Sequence, residues 1–148
     1  MSSSSSVRSL AFQLLFQLDA SGGGDPAELA AQMEHGQAAR EVRKACELAS
    51  AAYADRQASD AATAELAPGW PAHRQPAIDR AILRLAHHEI SKDPGSGAII
   101  INDAVNLAKE FGTEKSPGFV NALLDKILKA KLSPTPATPP SDPPPSSV

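Results

Sequence analysis

Apolar residues recur every three or four positions through most of the chain, which is the spacing of an α-helix with one buried face. The clearest example is Gly97–Leu132, which predicts two helices joined at Phe111-Gly112-Thr113. Gly112 stands where a left-handed residue would end the first helix. Ser116-Pro117 predicts an N-cap and a first-turn proline for the second. The stretch therefore predicts a helical hairpin packed into an α-domain.

The same periodicity extends over the rest of the chain. It predicts helices at Val7–Ala20, from Asp25-Pro26 to near His35-Gly36, at about Ala38–Glu65 and at Ala77–Ile90. Pro68-Gly69-Trp70-Pro71 breaks the chain between the last two. Few segments alternate as strands do, so the predicted fold class is all-α.

The two ends differ in composition from this helical part. Residues 1–6 are MSSSSS and predict a disordered leader. Residues 132–148 form a tail in which seven of the last sixteen residues are proline, so the helix cannot continue there and disorder is predicted. Residues 7–131 are left as one domain by size.

Charge and composition exclude several classes of protein. A net charge of −3 argues against a strongly basic, non-specific nucleic-acid binder. Cys46 is the only cysteine, so an internal disulfide is excluded. No apolar run reaches the roughly 20 residues of a membrane helix. These features predict a cytoplasmic protein that does not bind membranes.

Catalytic motifs are absent from the sequence. Gly95-Ser96-Gly97 has no strand before it and no third glycine at the required place. His87-His88-Glu89 are adjacent, whereas helical metal ligands are three or four residues apart. We therefore predict no enzyme activity, no metal and no cofactor.

Two surface features allow two interpretations each. Phe16 lies off the main apolar arc of the first helix, and is either packed between two layers of neighbours or exposed for stacking. Arg80, Arg84, His87 and His88 share one side of their helix, as a solvated or salt-bridged stripe or as a ligand-facing one. Asp79 and Glu89 lie at or within the apolar arc, so each is expected to have a donor partner.

Three ordered phrases resemble a known family. Asp79–Ala86 is DRAILRLA, Ile100–Gly112 is IINDAVNLAKEFG and Ser116–Asp125 is SPGFVNALLD. Together with the first helix they resemble the bacterial transcription antitermination factors of the NusB family. The resemblance covers the chain between its two ends, although Gly22–Leu66 matches only in helical layout.

The resemblance implies an all-α fold of two small helical bundles with about seven helices. It implies binding of single-stranded boxA RNA together with NusE, which is the ribosomal protein S10. It further implies that this complex joins RNA polymerase and suppresses termination in ribosomal RNA operons, without catalysis. It leaves the oligomeric state open, including a homodimer.

Site residues follow from the positions that match the family. Arg8, Phe16, Lys115 and Phe119 are the candidates for RNA binding. For the protein partner the candidates are Asp79, which matches an acidic position facing NusE, and Arg80 and Arg84 on the same helix.

One departure from the family opens alternatives. Ser3–Ser6 stand where the family usually has arginines, which predicts weaker RNA binding or greater dependence on the partner. One alternative is a helical protein-interaction module of the same fold that has lost RNA binding. Another is a detached RNA-recognition domain related to rRNA cytosine methyltransferases, which would need a methyl-donor domain for which this chain has no room.

Overall fold

The computed structural model describes residues 2–33 and 36–132, with side chains described from Ser5 onward. These residues form seven α-helices and no strand. The helices are α1 Ser2–Ser21, α2 Pro26–Ala31, α3 Ala39–Ala54, α4 Arg56–Leu66, α5 Ala77–Lys92, α6 Gly97–Phe111 and α7 Ser116–Leu132. Short 3-10 turns lie at Ala72–Arg74 and Pro94–Ser96. The all-α class and the helix number predicted from the sequence are confirmed.

The helices pack around α5. One group consists of α1, α2 and α3, and the other of α4, α6 and α7, while α5 contacts helices of both groups. The shared core is mainly leucine, isoleucine and alanine, as the low aromatic content requires. Side chains on α5 can therefore connect the two groups of helices.

The amino-terminal helix is longer than predicted. It begins at Ser2, so residues 2–6 are helical and differ from the predicted disordered leader. The Ser5 hydroxyl donates to a carboxylate oxygen of Asp103 on α6 at 3.1 Å, which ties this first turn to the second group of helices. The predicted tail lies outside the described residues, apart from Leu132, which ends α7.

The predicted helix at about Ala38–Glu65 is two helices that meet at Asp55. Asp55 has φ −94° and ψ 7°, which interrupts the α-helical geometry. Its carboxylate lies 3.2 Å from His88 Nδ1 on α5. The Arg56 guanidinium covers the Tyr53 ring at 4.0 Å and donates to the Tyr53 carbonyl oxygen. The break is fixed by these contacts, because no glycine or proline stands there.

The corner between α6 and α7 is built differently from the prediction. Gly112 is extended, with φ −93° and ψ −163°, and not left-handed. Thr113 caps α7 by accepting from the Lys115 N–H at 3.3 Å, while the Ser116 hydroxyl accepts from the Thr113 N–H at 3.0 Å. Thr113 and Ser116 are spaced as in a capping box, but the Thr113 hydroxyl accepts from Lys115 and not from Ser116, and Ser116 lies inside α7 and not at its N-cap.

Position 112 requires glycine because Ser116 and the Ala108 carbonyl oxygen lie too close to leave space for a Cβ. A Cβ there would lie 2.5 Å from Ser116 Oγ and 2.9 Å from the Ala108 carbonyl oxygen, and Ser116 is only 1% exposed. We expect Gly112→Ala to lower the free energy of unfolding by about 2 kcal/mol, measured by denaturant titration of helical circular dichroism. Gly118→Ala is the matched control, because a Cβ at Gly118 meets nothing within 4 Å. Equal stability of the two variants would contradict this account of the corner.

Candidate nucleic-acid interface

Two predicted RNA-binding residues lie together at the start of α7. Lys115 is exposed, and the Phe119 N–H donates to the Lys115 carbonyl oxygen at 3.2 Å. Phe119 is half-buried, with one side packed against the hydrophobic core. The corner thus presents a cation and part of an aromatic ring on a capped helix end.

Trp70 adjoins this corner, although its place in Pro68-Gly69-Trp70-Pro71 predicted only a break between two helices. Its ring centroid lies 6.2 Å from that of Phe119, at an interplanar angle of 73°. Trp70 is 42% exposed. The available signal was the position of the only tryptophan within a Pro-Gly turn, where a buried ring is not expected.

Phe16 is half-buried and packs against the core. Its ring lies 6.4 Å from that of Phe12, which in turn lies 5.1 Å from that of Phe111. These contacts favour the interpretation of α1 as a helix between two layers of neighbours. A stacking role for the exposed part of Phe16 stays a prediction.

Arg8 lies inside an ion cluster that joins α1, α5 and α6. Its Nε is 2.9 Å from a carboxylate oxygen of Glu89, and its Nη1 is 2.7 Å from Asp103 Oδ2. The three side chains are 15%, 14% and 11% exposed. The Arg8 guanidinium is therefore paired with two carboxylates of the protein itself. RNA binding by Arg8 stays a prediction.

Burial and ion pairing shift the pKa values of Glu89 and Arg8 in this cluster. Desolvation raises the pKa of Glu89, and the neighbouring Arg8 opposes that rise. Desolvation would lower the pKa of Arg8, but Glu89 and Asp103 raise it overall. Glu89 thus has the donor partner that the sequence analysis expected.

A groove of about 200 Å³ lies beside Arg8 between α1 and α3. Its lining includes Arg40 and Lys44, which are exposed, together with Glu41. Two cations are therefore available beside the position where the family usually carries arginines on α1.

The three predicted partner-binding residues differ in access. Arg84 is 13% exposed and binds Asp60 through two nitrogens at 2.9 and 2.6 Å, while its Nη1 lies 3.0 Å from Asp19. Arg80 is half-buried and donates to the Ala72 carbonyl oxygen. Asp79 is 5% exposed, and its Oδ1 has no hydrogen-bond partner among the residues that the structure describes, contrary to the expectation of a donor. Asp79 is therefore the most enclosed of the three, whereas Arg80 and Arg84 are both half-buried.

The two histidines of the predicted stripe are internal. His87 and His88 are 4% and 6% exposed. His87 Nδ1 lies 2.7 Å from the Ser59 hydroxyl, and His88 Nδ1 lies 3.2 Å from Asp55 Oδ2. Together with the Arg84 ion pairs, this supports the salt-bridged interpretation of the stripe over the solvated one.

His87 should make stability depend on pH. Burial and then the charge of Lys131 lower the pKa of His87 below 6.5, against the opposing effect of Asp55. Because the fold favours neutral imidazole, its contribution is complete above about pH 6.5 and is lost as the pH falls through the lowered pKa. We expect the free energy of unfolding to decrease more between about pH 7.5 and about pH 5.5 in the parent protein than in His87→Gln. Denaturant titrations at both pH values measure this.

The exposed His73 supplies the control for this pH dependence. His73→Gln makes the same replacement at a histidine that is exposed. A His87→Gln variant with the parent's pH profile would contradict the assignment.

No described helix is both long enough and apolar enough to cross a membrane. Within residues 2–33 and 36–132, no group of three His, Cys, Asp or Glu side chains could hold a metal ion. The fold and the α6–α7 corner define a protein of the all-α helical-bundle class that exposes Lys115 and part of Phe119 at one helix end.

The chain belongs to the NusB family, whose sequence model matches residues 5–129. The transcription antitermination protein NusB of Herpetosiphon aurantiacus is 35% identical over 127 residues, which cover 82% of this chain and 87% of that protein. The protein of the same name from Streptomyces avermitilis is 34% identical over 138 residues, which cover 90% and 96%.

Solved structures of the family have the same fold. The solution structure of NusB from Aquifex aeolicus has a TM-score of 0.74 at 28% identity, covering 95% of this chain and 97% of that one. NusB from T. maritima has a TM-score of 0.73 at 26% identity, covering 83% and 88%. A chain in the crystal structure of a plectonemic RNA supercoil has a TM-score of 0.79 at 25% identity, covering 91% and 100%.

Proposed function

We propose that this protein is a transcription antitermination factor of the cytoplasm. It binds boxA-type single-stranded RNA together with NusE and joins the RNA polymerase antitermination complex at ribosomal RNA operons. Its relatives in Herpetosiphon and Streptomyces are named transcription antitermination proteins. A chain of the same fold is present in the crystal structure of an RNA.

The observation that carries the RNA part of the proposal is the α7 corner. Single-stranded RNA is bound by cations that contact phosphates and by rings that stack on bases. Lys115 and Phe119 offer one of each, one helical turn apart, at a helix end where the Ser116 hydroxyl accepts from the Thr113 N–H and the Thr113 hydroxyl accepts from the Lys115 N–H. A preorganised site loses less entropy on binding.

The amino-terminal side contributes less than in an arginine-rich member of the family. Ser2–Ser6 supply no cation, and Arg8 is paired with Glu89 and Asp103. Arg40 and Lys44 in the adjacent groove are the remaining basic side chains that could contact phosphate there. We infer a modest RNA affinity that rises when NusE is bound.

The NusE contact is proposed at the start of α5. Asp79 is buried and Arg84 is paired with Asp19 and Asp60, whereas the half-buried Arg80 donates to a backbone carbonyl oxygen. Arg80 is therefore the first of the three to substitute in a NusE binding assay.

A second candidate function is a protein-interaction module of this fold that no longer binds RNA. The observation in its favour is the internal pairing of Arg8 together with the serine-rich first turn. The two candidates make the same prediction for NusE and opposite predictions for RNA.

Fluorescence anisotropy of a labelled boxA RNA separates the two candidates. The protein is titrated alone and with NusE present at saturation. The antitermination proposal predicts binding that is several-fold tighter with NusE. Binding of NusE without RNA binding in either titration would support the interaction module, and the absence of both would overturn both proposals.

Lys115→Ala should weaken RNA binding about threefold and reduce the slope of log affinity against log salt by about 0.7, which is one phosphate contact on a single strand. The melting temperature should stay nearly unchanged, because Lys115 is exposed. Lys126→Ala, at an exposed lysine on α7, is the matched control. Equal losses in the two variants would show that only overall charge matters.

A further inference from the structure

Trp70 is the only tryptophan in the chain and is 42% exposed. The other large apolar side chains that are exposed among the described residues are aliphatic, Ile99 and Leu132. Tryptophan is the side chain with the most apolar area to gain from burial. An exposed tryptophan beside a second aromatic ring therefore indicates a binding surface more strongly than a single exposed aliphatic residue does.

The ring arrangement leaves room for a planar ligand. At 73° and 6.2 Å, Trp70 and Phe119 make an edge-to-face contact. Such a contact covers the face of one ring only, so a face of the other stays uncovered by the pair. Phe119 also packs against the core, which anchors the pair to the fold.

The loop that carries Trp70 is held in place on both sides. The Trp70 N–H donates to the Ala67 carbonyl oxygen at 2.9 Å. The Gln75 side-chain amide, on a residue that is 5% exposed, donates to the Trp70 carbonyl oxygen at 3.1 Å. Because this loop is already ordered, little conformational entropy would be lost when a ligand binds the ring.

The charge around the pair favours nucleic acid. His73 and Arg74 follow Trp70 on an exposed 3-10 turn that has no acidic residue, and Lys115 lies one turn before Phe119. Glu114, which is exposed and precedes Lys115 in the chain, is an acidic residue near this cation. Aromatic faces flanked by cations are the usual platform for single-stranded nucleic acid, since every base has a π-face and every linkage a negative charge.

We propose that Trp70 stacks on a base of the bound RNA and extends the Phe119 contact into a two-ring platform. His73 and Arg74, which follow Trp70 on the next turn of the chain, are expected to contact the adjoining phosphates. This inference rests on the proposed RNA-binding function and adds to it a residue that the family resemblance did not assign.

The single tryptophan is also the reporter for the test. RNA is titrated into the complete protein with NusE present, while Trp70 fluorescence and the anisotropy of the labelled RNA are recorded together. The same complex made with Trp70→Phe provides the blank for NusE fluorescence. Stacking predicts quenching that follows the anisotropy curve with the same dissociation constant.

Variants then separate stacking from packing. Trp70→Leu keeps an apolar side chain without a π-system and should weaken RNA binding about tenfold, whereas Trp70→Phe should weaken it about twofold. Ile99→Ala, at an exposed apolar residue on α6, should leave the affinity unchanged. Melting temperatures of all variants identify any loss of folding.

The possible results test the stacking role of Trp70 separately from the proposed RNA-binding function. RNA binding without quenching, with full affinity in Trp70→Leu, would overturn the stacking role and leave the proposed function standing. A fluorescence change on adding NusE alone, with none on adding RNA, would make Trp70 a protein contact and overturn the inference. Absence of RNA binding under all conditions would overturn both.

Discussion

Arg8→Ala should lower the free energy of unfolding by about 3 kcal/mol, because it leaves two largely buried carboxylates without their counter-charge. Glu89 and Asp103 are 14% and 11% exposed, so water replaces the lost guanidinium only in part. The loss corresponds to a decrease of roughly 10 °C in melting temperature for a domain of this size.

Denaturant titration followed by circular dichroism measures the Arg8 effect. Lys44→Ala is the matched control, because Lys44 lines the same groove but is exposed. Its loss should be below about 0.5 kcal/mol. Equal, small losses in the two variants would mean that the ion cluster does not support the fold. RNA binding by Arg8→Ala has to be measured at a temperature at which the variant is folded.

Arg84→Ala is expected to have an effect of similar size, again about 3 kcal/mol. Arg84 lies on α5 and pairs with Asp60 on α4 and Asp19 on α1, so its loss removes an ionic connection between the two groups of helices. Burial already raises the pKa of Asp19, against the opposing charges of Arg84 and then Arg80. Without Arg84, the Asp19 carboxylate would be left with little compensation.

Thermal and denaturant unfolding of Arg84→Ala are compared with those of Arg80→Ala. Arg80 is half-buried and donates to a single carbonyl oxygen, so its removal should cost about 1 kcal/mol. If Arg84→Ala kept parent stability but lost NusE binding, Arg84 would be a partner contact and not a support of the fold.

Periodicity predicted most of the fold because the helices have well-separated apolar faces. The ends of α6 and α7 follow from Gly112 and the polar residues after it, although the glycine is needed for close approach and not for a left-handed conformation. The division of α3 from α4 at Asp55 could not be predicted, since it depends on the contact with His88, which is 33 residues away.

The candidate site was predicted in part. Phe119 could be named from the family phrase Ser116–Asp125, and Lys115 from its place just before that phrase. The ion pairs of Arg8 could not be predicted, because Glu89 and Asp103 are 81 and 95 residues away in the sequence. From the sequence alone, each of these residues looks like an unpaired charge on the surface. Trp70 was missed because a Pro-Gly break reveals where a helix stops, but not which ring the loop brings to the surface.

Competition between RNAs tests whether this protein recognises boxA RNA together with NusE. The protein and NusE are bound to labelled boxA RNA, and unlabelled boxA RNA or a scrambled RNA of equal length and composition is added at near-physiological salt. We expect boxA RNA to displace the label at a concentration at least tenfold lower than the scrambled RNA. Equal displacement by both RNAs, or no complex to displace, would contradict it.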